Sequence, residues 1–391
     1  MSRSLLRYHG EVGNLMRGDS ALKATTTTSA YLPAASFNDQ DRVFARAFAV
    51  LGKGITDCAF PGATVAITHE GRLVALKGLG RFTYEPGSPE VRAETVFDLA
   101  SVSKVVATTA MGMILHERGQ LDLEAPVAGI IPEFASGDAR RRMVTLRMLL
   151  AHSSGLPAYQ QLFEKAPTCE ALLREAFTMP LEADPGSRAE YSDIGFIVLG
   201  EALERIVGES LDAFCRREIF GPLGMTQTTF RPPGAWKQQI PPTADDREFR
   251  HRIVQGEVHD ENASVLGGVA GHAGVFAPAA DLATFAHMML SGGAPILRPE
   301  TVALFTCRET SPQGTSRALG WDTPSPPSQS GQYFSARSFG HLGYTGTSLW
   351  IEPERRLSVT LLTNRTWPDR SSQKIKQVRP EFHDAMVEAL Q

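Results

Sequence analysis

Ser101 and Lys104 stand one helical turn apart in Ser101-Val102-Ser103-Lys104, followed by Val105-Val106-Ala107-Thr108-Thr109-Ala110-Met111-Gly112-Met113-Ile114-Leu115-His116. Lys104 is the only formally charged side chain in this run. Apolar residues lie nearly all the way round, so the periodicity predicts a buried helix that ends at Arg118-Gly119 with a C-cap glycine. Burial disfavours an ammonium and lowers a lysine pKa by up to several units. Residues at i and i+3 share a helix face. A hydroxyl beside a partly deprotonated amine is a nucleophile with its own base, which is the chemistry of an acyl-transfer hydrolase. At a helix N-terminus, free N–H groups and the dipole would also favour negative charge on the serine oxygen.

The four-residue pattern is weak by itself, because Ser371-Ser372-Gln373-Lys374 also fits it. That copy follows Asp369-Arg370 in a polar stretch where its lysine would stay solvated and protonated. Context selects Ser101; the competing reading is an N-cap serine with a snorkelling lysine. Tyr191-Ser192-Asp193 precedes a helix predicted from Ile194, with apolar positions Phe196, Leu199, Leu203 and Ile206. A tyrosine near a lysine ammonium should lose its proton more easily and serve as a base. The plainer readings are a packed aromatic for Tyr191 and an N-cap for Asp193. Gly340-His341-Leu342-Gly343-Tyr344-Thr345-Gly346 has glycines that let backbone approach a ligand, or that mark a bulged strand start.

These groups need elements to position them. Ala63-Thr64-Val65-Ala66-Ile67-Thr68 and Leu73-Val74-Ala75-Leu76 flank a turn at His69-Glu70-Gly71-Arg72 and read as a hairpin. Thr347-Ser348-Leu349-Trp350-Ile351 and Leu357-Ser358-Val359-Thr360-Leu361 form a second hairpin near the other end. Helices are expected from Asp41 to about Leu51, over 280–290 and over 374–390, the last carrying Pro380. Residues 311–330 read as a polar loop. Strands at both ends bracket a helical middle. The expected fold is α+β: one antiparallel sheet from the N- and C-terminal segments, flanking helices and an inserted helical domain. The expected division is an N-terminal extension over 1–38, a discontinuous sheet domain over 39–120 and 291–391, and a helical domain over 121–290. A cleft between the two would hold the site.

With 391 residues, 42% hydrophobic and 21% charged, the composition is that of a globular protein. A net charge of -4 lacks the basic excess of a nucleic-acid partner. No apolar run is long enough for a membrane span. Residues 1–10 have basic residues but no apolar leader core, and Cys58, Cys169, Cys215 and Cys307 form no C-x-x-C pair. A cytoplasmic protein with reduced thiols is expected, or a periplasmic one whose leader has been removed.

Taken together and in order, Ser101-Val102-Ser103-Lys104, Tyr191-Ser192-Asp193 and His341-Leu342-Gly343 resemble the motif set of the serine penicillin-recognising enzymes. The resemblance is to class C β-lactamases, family VIII esterases and low-molecular-weight penicillin-binding proteins. Leu149-Leu150-Ala151-His152-Ser153-Ser154-Gly155-Leu156-Pro157 is similar to another signature of that group. Val258-His259-Asp260-Glu261-Asn262-Ala263, Gly271-His272-Ala273-Gly274-Val275-Phe276 and the run from Gly343 to Ile351 resemble a branch linked to peptidoglycan peptides. By position, the resemblance implies Ser101 as nucleophile, with Lys104 and Tyr191 sharing its proton. Asp193 would hold Lys104 and the substrate amide, and His341 would replace a strand lysine. The N–H groups of Ser101 and Tyr344, with Gly343 between the strand residues, would form the oxyanion hole. No cofactor or metal is implied, and the partner is a small ester or peptide substrate.

Two departures refine the expectation. Aspartate stands at 193 where the family has asparagine, and histidine-leucine at 341 and 342 where it has lysine-threonine. A mostly neutral histidine and a leucine grip a carboxylate poorly, which favours an esterase or amidase over an efficient β-lactamase. Two other readings compete. A non-catalytic peptide-recognition module would keep the cleft without the chemistry. A metal hydrolase would use His259, Asp260, Glu261 and His272, which lack compact ligand spacing. No G-x-S-x-G elbow supports an α/β-hydrolase.

Overall fold

Both hairpins form, and they join into one sheet. The structure is a computed structural model that describes residues 32–34 and 37–391. Strands β1 (Gly62–His69), β2 (Arg72–Gly80), β3 (Phe339–Leu342), β4 (Ser348–Glu352) and β5 (Leu357–Thr363) are all antiparallel, in the order β2-β1-β5-β4-β3. The seam between the chain's two ends is β1 against β5, with Ala63 opposite Thr363 and His69 opposite Leu357. This is the expected α+β sheet built from both ends. The helices that matter for it and for the site are α1 (Ala45–Thr56), α2 (Ala110–Glu117), α3 (Asp193–Val207), α4 (Ala279–Leu290) and α5 (Ile375–Glu388).

The period of two along the strands decides what covers each face. Ala63, Val65 and Ile67 of β1 and Val359 and Leu361 of β5 pack with Phe48 and Leu51 of α1 and with Phe382 and Met386 of α5. Their alternates Ala66 and Leu362 join Phe285 and Met289 of α4 and the apolar residues of the helical middle in the main core. We propose the two-part division over 39–120 with 291–391 and over 121–290. Across that division α4, at the end of the helical part, lies against β1, β4 and β5 of the sheet. The expected loose extension over 1–38 falls, up to residue 31, outside the described residues. Its described end is docked rather than loose: Leu32 is buried, and Leu73 N donates to Pro33 O at 3.0 Å.

The predicted buried helix at Ser101 is present but is not one regular α-helix. Ala100–Val102 is a 3₁₀ turn, Lys104–Thr109 has the wider π pitch, and α geometry runs only through α2. Ser101 therefore does not stand at an ordinary α-helix N-terminus. Its neighbours impose the irregularity. Ala100 adopts φ 46° while its N–H donates to Asp98 Oδ1 at 2.8 Å. Val275 N donates to Ser103 Oγ at 3.0 Å, and Thr108 Oγ1 donates to Gly271 O at 2.6 Å. Irregular helical turns of this kind often sit at functional sites. Gly119 closes the segment at φ 69°, as expected of a C-cap glycine.

Candidate active site

Lys104 is fully buried, and all of its polar contacts converge on one corner. Its Nζ lies 3.0 Å from Ser101 Oγ, 2.6 Å from Asp193 Oδ1 and 2.9 Å from the carbonyl oxygen of His272. The Tyr191 and Phe196 rings flank it at 5.0 and 5.5 Å. An ammonium donates to all three oxygens. A neutral amine can donate to Asp193 and His272 O while its lone pair faces the Ser101 hydroxyl. Burial pulls the lysine below its ordinary value, and the Asp193 carboxylate pulls it back up.

Asp193 is free for this contact because Ser192, not Asp193, caps α3. Ser192 Oγ accepts from Gly195 N at 2.9 Å and donates to Pro157 O at 2.6 Å. Ser192 N in turn donates to His152 Nδ1 at 3.0 Å, and the His152 ring packs 4.8 Å from Tyr191. The run from Leu149 to Pro157 thus clamps Tyr191-Ser192-Asp193. The Tyr191 hydroxyl reaches Ser101 Oγ at 2.8 Å and Asp193 Oδ1 at 2.9 Å. The expectation of an easily ionised tyrosine is overturned. Burial and the nearby Asp193 carboxylate hold the phenol well above its ordinary value, so it stays protonated in the resting site.

The open edge of the sheet, β3, supplies the opposite wall. Gly340 exchanges both backbone hydrogen bonds with Asp322 at 2.9 Å, and Gly343 N turns inward to Thr347 O at 2.8 Å. Gly343 to Gly346 then forms a turn, with Gly346 N donating to Gly343 O at 2.9 Å, and Tyr344 lines the cleft. Two threonines tie this edge to the backbone just before Ser101: Thr345 Oγ1 donates to Asp98 O at 2.9 Å and Thr347 Oγ1 to Leu99 O at 2.8 Å. Only glycine fits at 343, where a Cβ would stand 1.9 Å from Thr347 Oγ1 and 2.5 Å from Leu99 O. His341 is buried, and burial, with Lys104 and Arg317, pushes it down to about 3. Its Nδ1 donates to Leu342 O at 2.8 Å, which leaves Nε2 as a bare acceptor without a partner.

Ser101, Tyr191, Asp193, His341, Gly343 and Tyr344 line one cavity of about 700 Å³, and Lys104 lies behind Ser101. The family model described as Beta-lactamase matches residues 44–381. The chain belongs to the β-lactamase family. Within it the chain falls in the serine penicillin-recognising superfamily and is a serine hydrolase. A relative from Escherichia coli K12, provisionally named a D-alanyl-D-alanine carboxypeptidase, is 32% identical over 79% of this chain and 79% of its own. An N-acetylmuramyl-L-alanine amidase of Bacillus subtilis is also 32% identical, over 78% of this chain and 77% of its own. The solved structure of EstCE1, a hydrolase with promiscuous acyltransferase activity, superposes with a TM-score of 0.71 at 24% identity over 88% of this chain and 99% of that one. At that identity the likeness speaks for the fold.

Several residues of this β-lactamase-family site escaped the sequence reading. The third oxygen on Lys104 is a backbone carbonyl, which no side-chain motif announces. It is delivered because Gly271 presses onto α3, where a Cβ would lie 2.0 Å from Phe196 O. Asp260, named in sequence within a family-like run and as a rival metal ligand but given no role at the lysine, meets His272 Nε2 at 2.7 Å. Burial opposes its charge, but His272, Ala263 N–H and Lys104 hold it below the usual carboxylate range. Glu261 pairs with Arg370, and the buried His259 ring has neither nitrogen partnered. Among the described residues, no group of three or more His, Cys, Asp or Glu side chains is placed to hold a metal ion. No helix among them is long and apolar enough to cross a membrane. The loop over 311–330, read only as polar, brings Arg317 to within 5.6 Å of the Tyr191 ring.

Proposed function

We propose that Ser101 attacks the carbonyl of an amide or ester in a peptidoglycan-type peptide or a small carboxylic ester. The observation that carries this reading is the contact of Lys104 Nζ with Ser101 Oγ at 3.0 Å inside a water-poor corner. Neutral Lys104 takes the hydroxyl proton as the Oγ–carbon bond forms, and Asp193 and His272 O stabilise the ammonium. The N–H groups of Ser101 and Tyr344 receive the developing oxyanion. The carbon–nitrogen or carbon–oxygen bond of the substrate then breaks. The leaving atom takes a proton from the Tyr191 hydroxyl, which is refilled from Lys104. Water enters by the same route in reverse: its proton passes through Tyr191 and Lys104 to Ser101 Oγ as the acyl bond is cleaved. Protonated Tyr191 suits a relay and an acid better than a standing base.

His341, neutral and with a bare Nε2, offers an acceptor where a cation would hold a β-lactam carboxylate. Weak β-lactam turnover follows. The names of the Escherichia coli and Bacillus subtilis relatives support an amide of the peptidoglycan class as substrate. All four cysteines are unpaired, which supports a cytoplasmic place. The test is intact-mass analysis after a fluorophosphonate probe. A single adduct mapping to the Ser101 peptide and absent in Ser101→Ala is expected. An adduct elsewhere, or equal ester turnover by Ser101→Ala, rejects the assignment.

A further inference from the structure

Of the three oxygens around Lys104, the His272 carbonyl is the one carried there by a loop. Gly271 holds one side of that loop: it presses on α3, and its carbonyl accepts from Thr108 Oγ1 at 2.6 Å. Val275 holds the other side, donating its N–H to Ser103 Oγ at 3.0 Å. Between them His272 is fixed by its own ring, which is buried. Nε2 donates to Asp260 Oδ1 at 2.7 Å, and the buried Nδ1 has no partner among the described residues. Asp260 is thus the ring's single polar anchor there. It also caps the short helix Glu261–Val265, where the same Oδ1 accepts from Ala263 N at 2.8 Å. Its backbone carbonyl accepts from Arg250 Nη2 at 3.3 Å, and Arg250 pairs with Asp246 at 3.1 Å. A helix cap needs only the Ala263 bond. The second bond, to a buried imidazole whose carbonyl touches Lys104, is what capping leaves unexplained.

Charge points the same way. His272, Ala263 N–H and Lys104 hold Asp260 below the usual carboxylate range against its burial, and its carboxylate in turn raises Lys104. Facing Lys104 are Tyr191 and Asp193 at the start of α3, His152, His341 of β3, Arg317, and Asp260 with His272. Among these, Asp193 and Asp260 raise the lysine and Arg317 lowers it. We infer that Asp260 is a positioning residue for Lys104, acting through His272: its carboxylate fixes the imidazole that brings the third oxygen to the ammonium, and it supplies a second negative charge beside that ammonium. The inference rests on Lys104 being the base for Ser101 and deepens that reading. The proton that leaves Ser101 Oγ for Lys104 Nζ is then stabilised by two carboxylates, one in contact and one a residue removed. The runs over 258–263 and 271–276 meet at this one hydrogen bond.

Three variants test this. Asp260→Asn separates charge from geometry, because an amide oxygen still accepts from both Ala263 N and His272 Nε2. With the carboxylate gone, burial and Arg317 are opposed by Asp193 alone. The ascending limb of kcat/KM for a neutral p-nitrophenyl ester should therefore move to lower pH by about 0.5 unit, less than in Asp193→Asn. A role confined to stability would leave that limb in place. His272→Gln keeps an N–H donor where Nε2 stands and should hold kcat within about threefold. His272→Leu cuts the link and should lower kcat about tenfold or more, with KM little changed. A limb that stays put or moves to higher pH in Asp260→Asn overturns the inference, as do equal kcat values for the glutamine and leucine variants. Should Asp260→Asn fail to fold, the comparison at His272 decides; should His272→Leu fail to fold, the pH profile of Asp260→Asn decides. Lys104→Met, measured beside them, keeps the failures apart. Undiminished acylation in Lys104→Met would reject the lysine as base, whereas its loss together with an unmoved limb in Asp260→Asn would reject only the role of Asp260.

Discussion

Lys104 Nζ lies closer to Asp193 Oδ1, at 2.6 Å, than to Ser101 Oγ, at 3.0 Å. The pair sets two opposing pulls on one proton. Burial lowers the lysine, and the carboxylate raises it. Asp193→Asn removes the largest raising influence and leaves burial opposed only by the weaker pull of Asp260. A base must be neutral to act, so activity rises with pH through the lysine pKa. The ascending, acid-side limb of kcat/KM for a neutral p-nitrophenyl ester should therefore move to lower pH in Asp193→Asn, by at least about one pH unit. A pH–rate series on both proteins measures it. A shift toward alkali would contradict the assignment of Lys104 as base.

The second Ser-x-x-Lys copy provides an internal control. Lys374 is exposed and its ammonium rests on Asp57 O, whereas Lys104 is enclosed. Lys104→Met should cut acylation of Ser101 by at least about a thousandfold. Lys374→Ala should leave it within about twofold, as surface changes generally do. Single-turnover burst kinetics on both variants compare them, and equal losses would mean that the wrong motif was chosen.

Gly343 is tested by the smallest possible addition. A Cβ there collides with Thr347 Oγ1 and Leu99 O, the two atoms that fasten the sheet edge to the backbone before Ser101. Gly343→Ala should force that edge outward and cost about 1–3 kcal/mol of stability. Spreading the two N–H groups of the oxyanion hole should lower kcat about a hundredfold or more. Thr347→Val loses one hydrogen bond without a clash, so its unfolding midpoint should fall by less. Denaturant unfolding and kcat on both variants separate edge position from simple destabilisation.

His341 should be silent in the neutral range. With its ring pushed down to about 3, it carries no charge between about pH 5 and 8. The ratio of nitrocefin to neutral-ester turnover should be low and flat across that window, because Lys104 affects both substrates alike. A ratio that climbs as pH falls through about 6.5 would show that His341 is gaining a proton and gripping the β-lactam carboxylate.

Acid stability follows from the buried histidines. Burial pushes His259, His341 and His383 each down to about 3. Between that value and the ordinary value of 6.5, the unfolded chain binds protons that the folded chain refuses. Their contribution to stability is complete above 6.5 and is lost as pH falls toward 3. Asp98 and Asp281, raised by burial to about 6, act in the opposite sense between 3.8 and 6, and are fewer. The thermal midpoint should fall from pH 7 to pH 4.5; a flat or rising profile would mean that these rings are charged in the folded protein.

Local spacing was enough for the nucleophile and its base. Ser101 and Lys104 lie three positions apart in a run too apolar for solvent, and proximity along a helical turn survives the change from α to 3₁₀ and π pitch. The hairpins were equally legible, since alternation with period two and turn residues are short-range signals. What folding alone decided is everything that depends on distant segments meeting: Ser192 rather than Asp193 capping α3, the phenol of Tyr191 held protonated by a carboxylate, and a carbonyl of His272 closing the lysine's coordination. Asp260 and His272 belong to the same class. In sequence they are an acid and a histidine in separate loops, where charge is normally solvated. Only the tertiary structure brings them together beside Lys104, because burial and counter-charge are properties of neighbours in space rather than of neighbours along the chain.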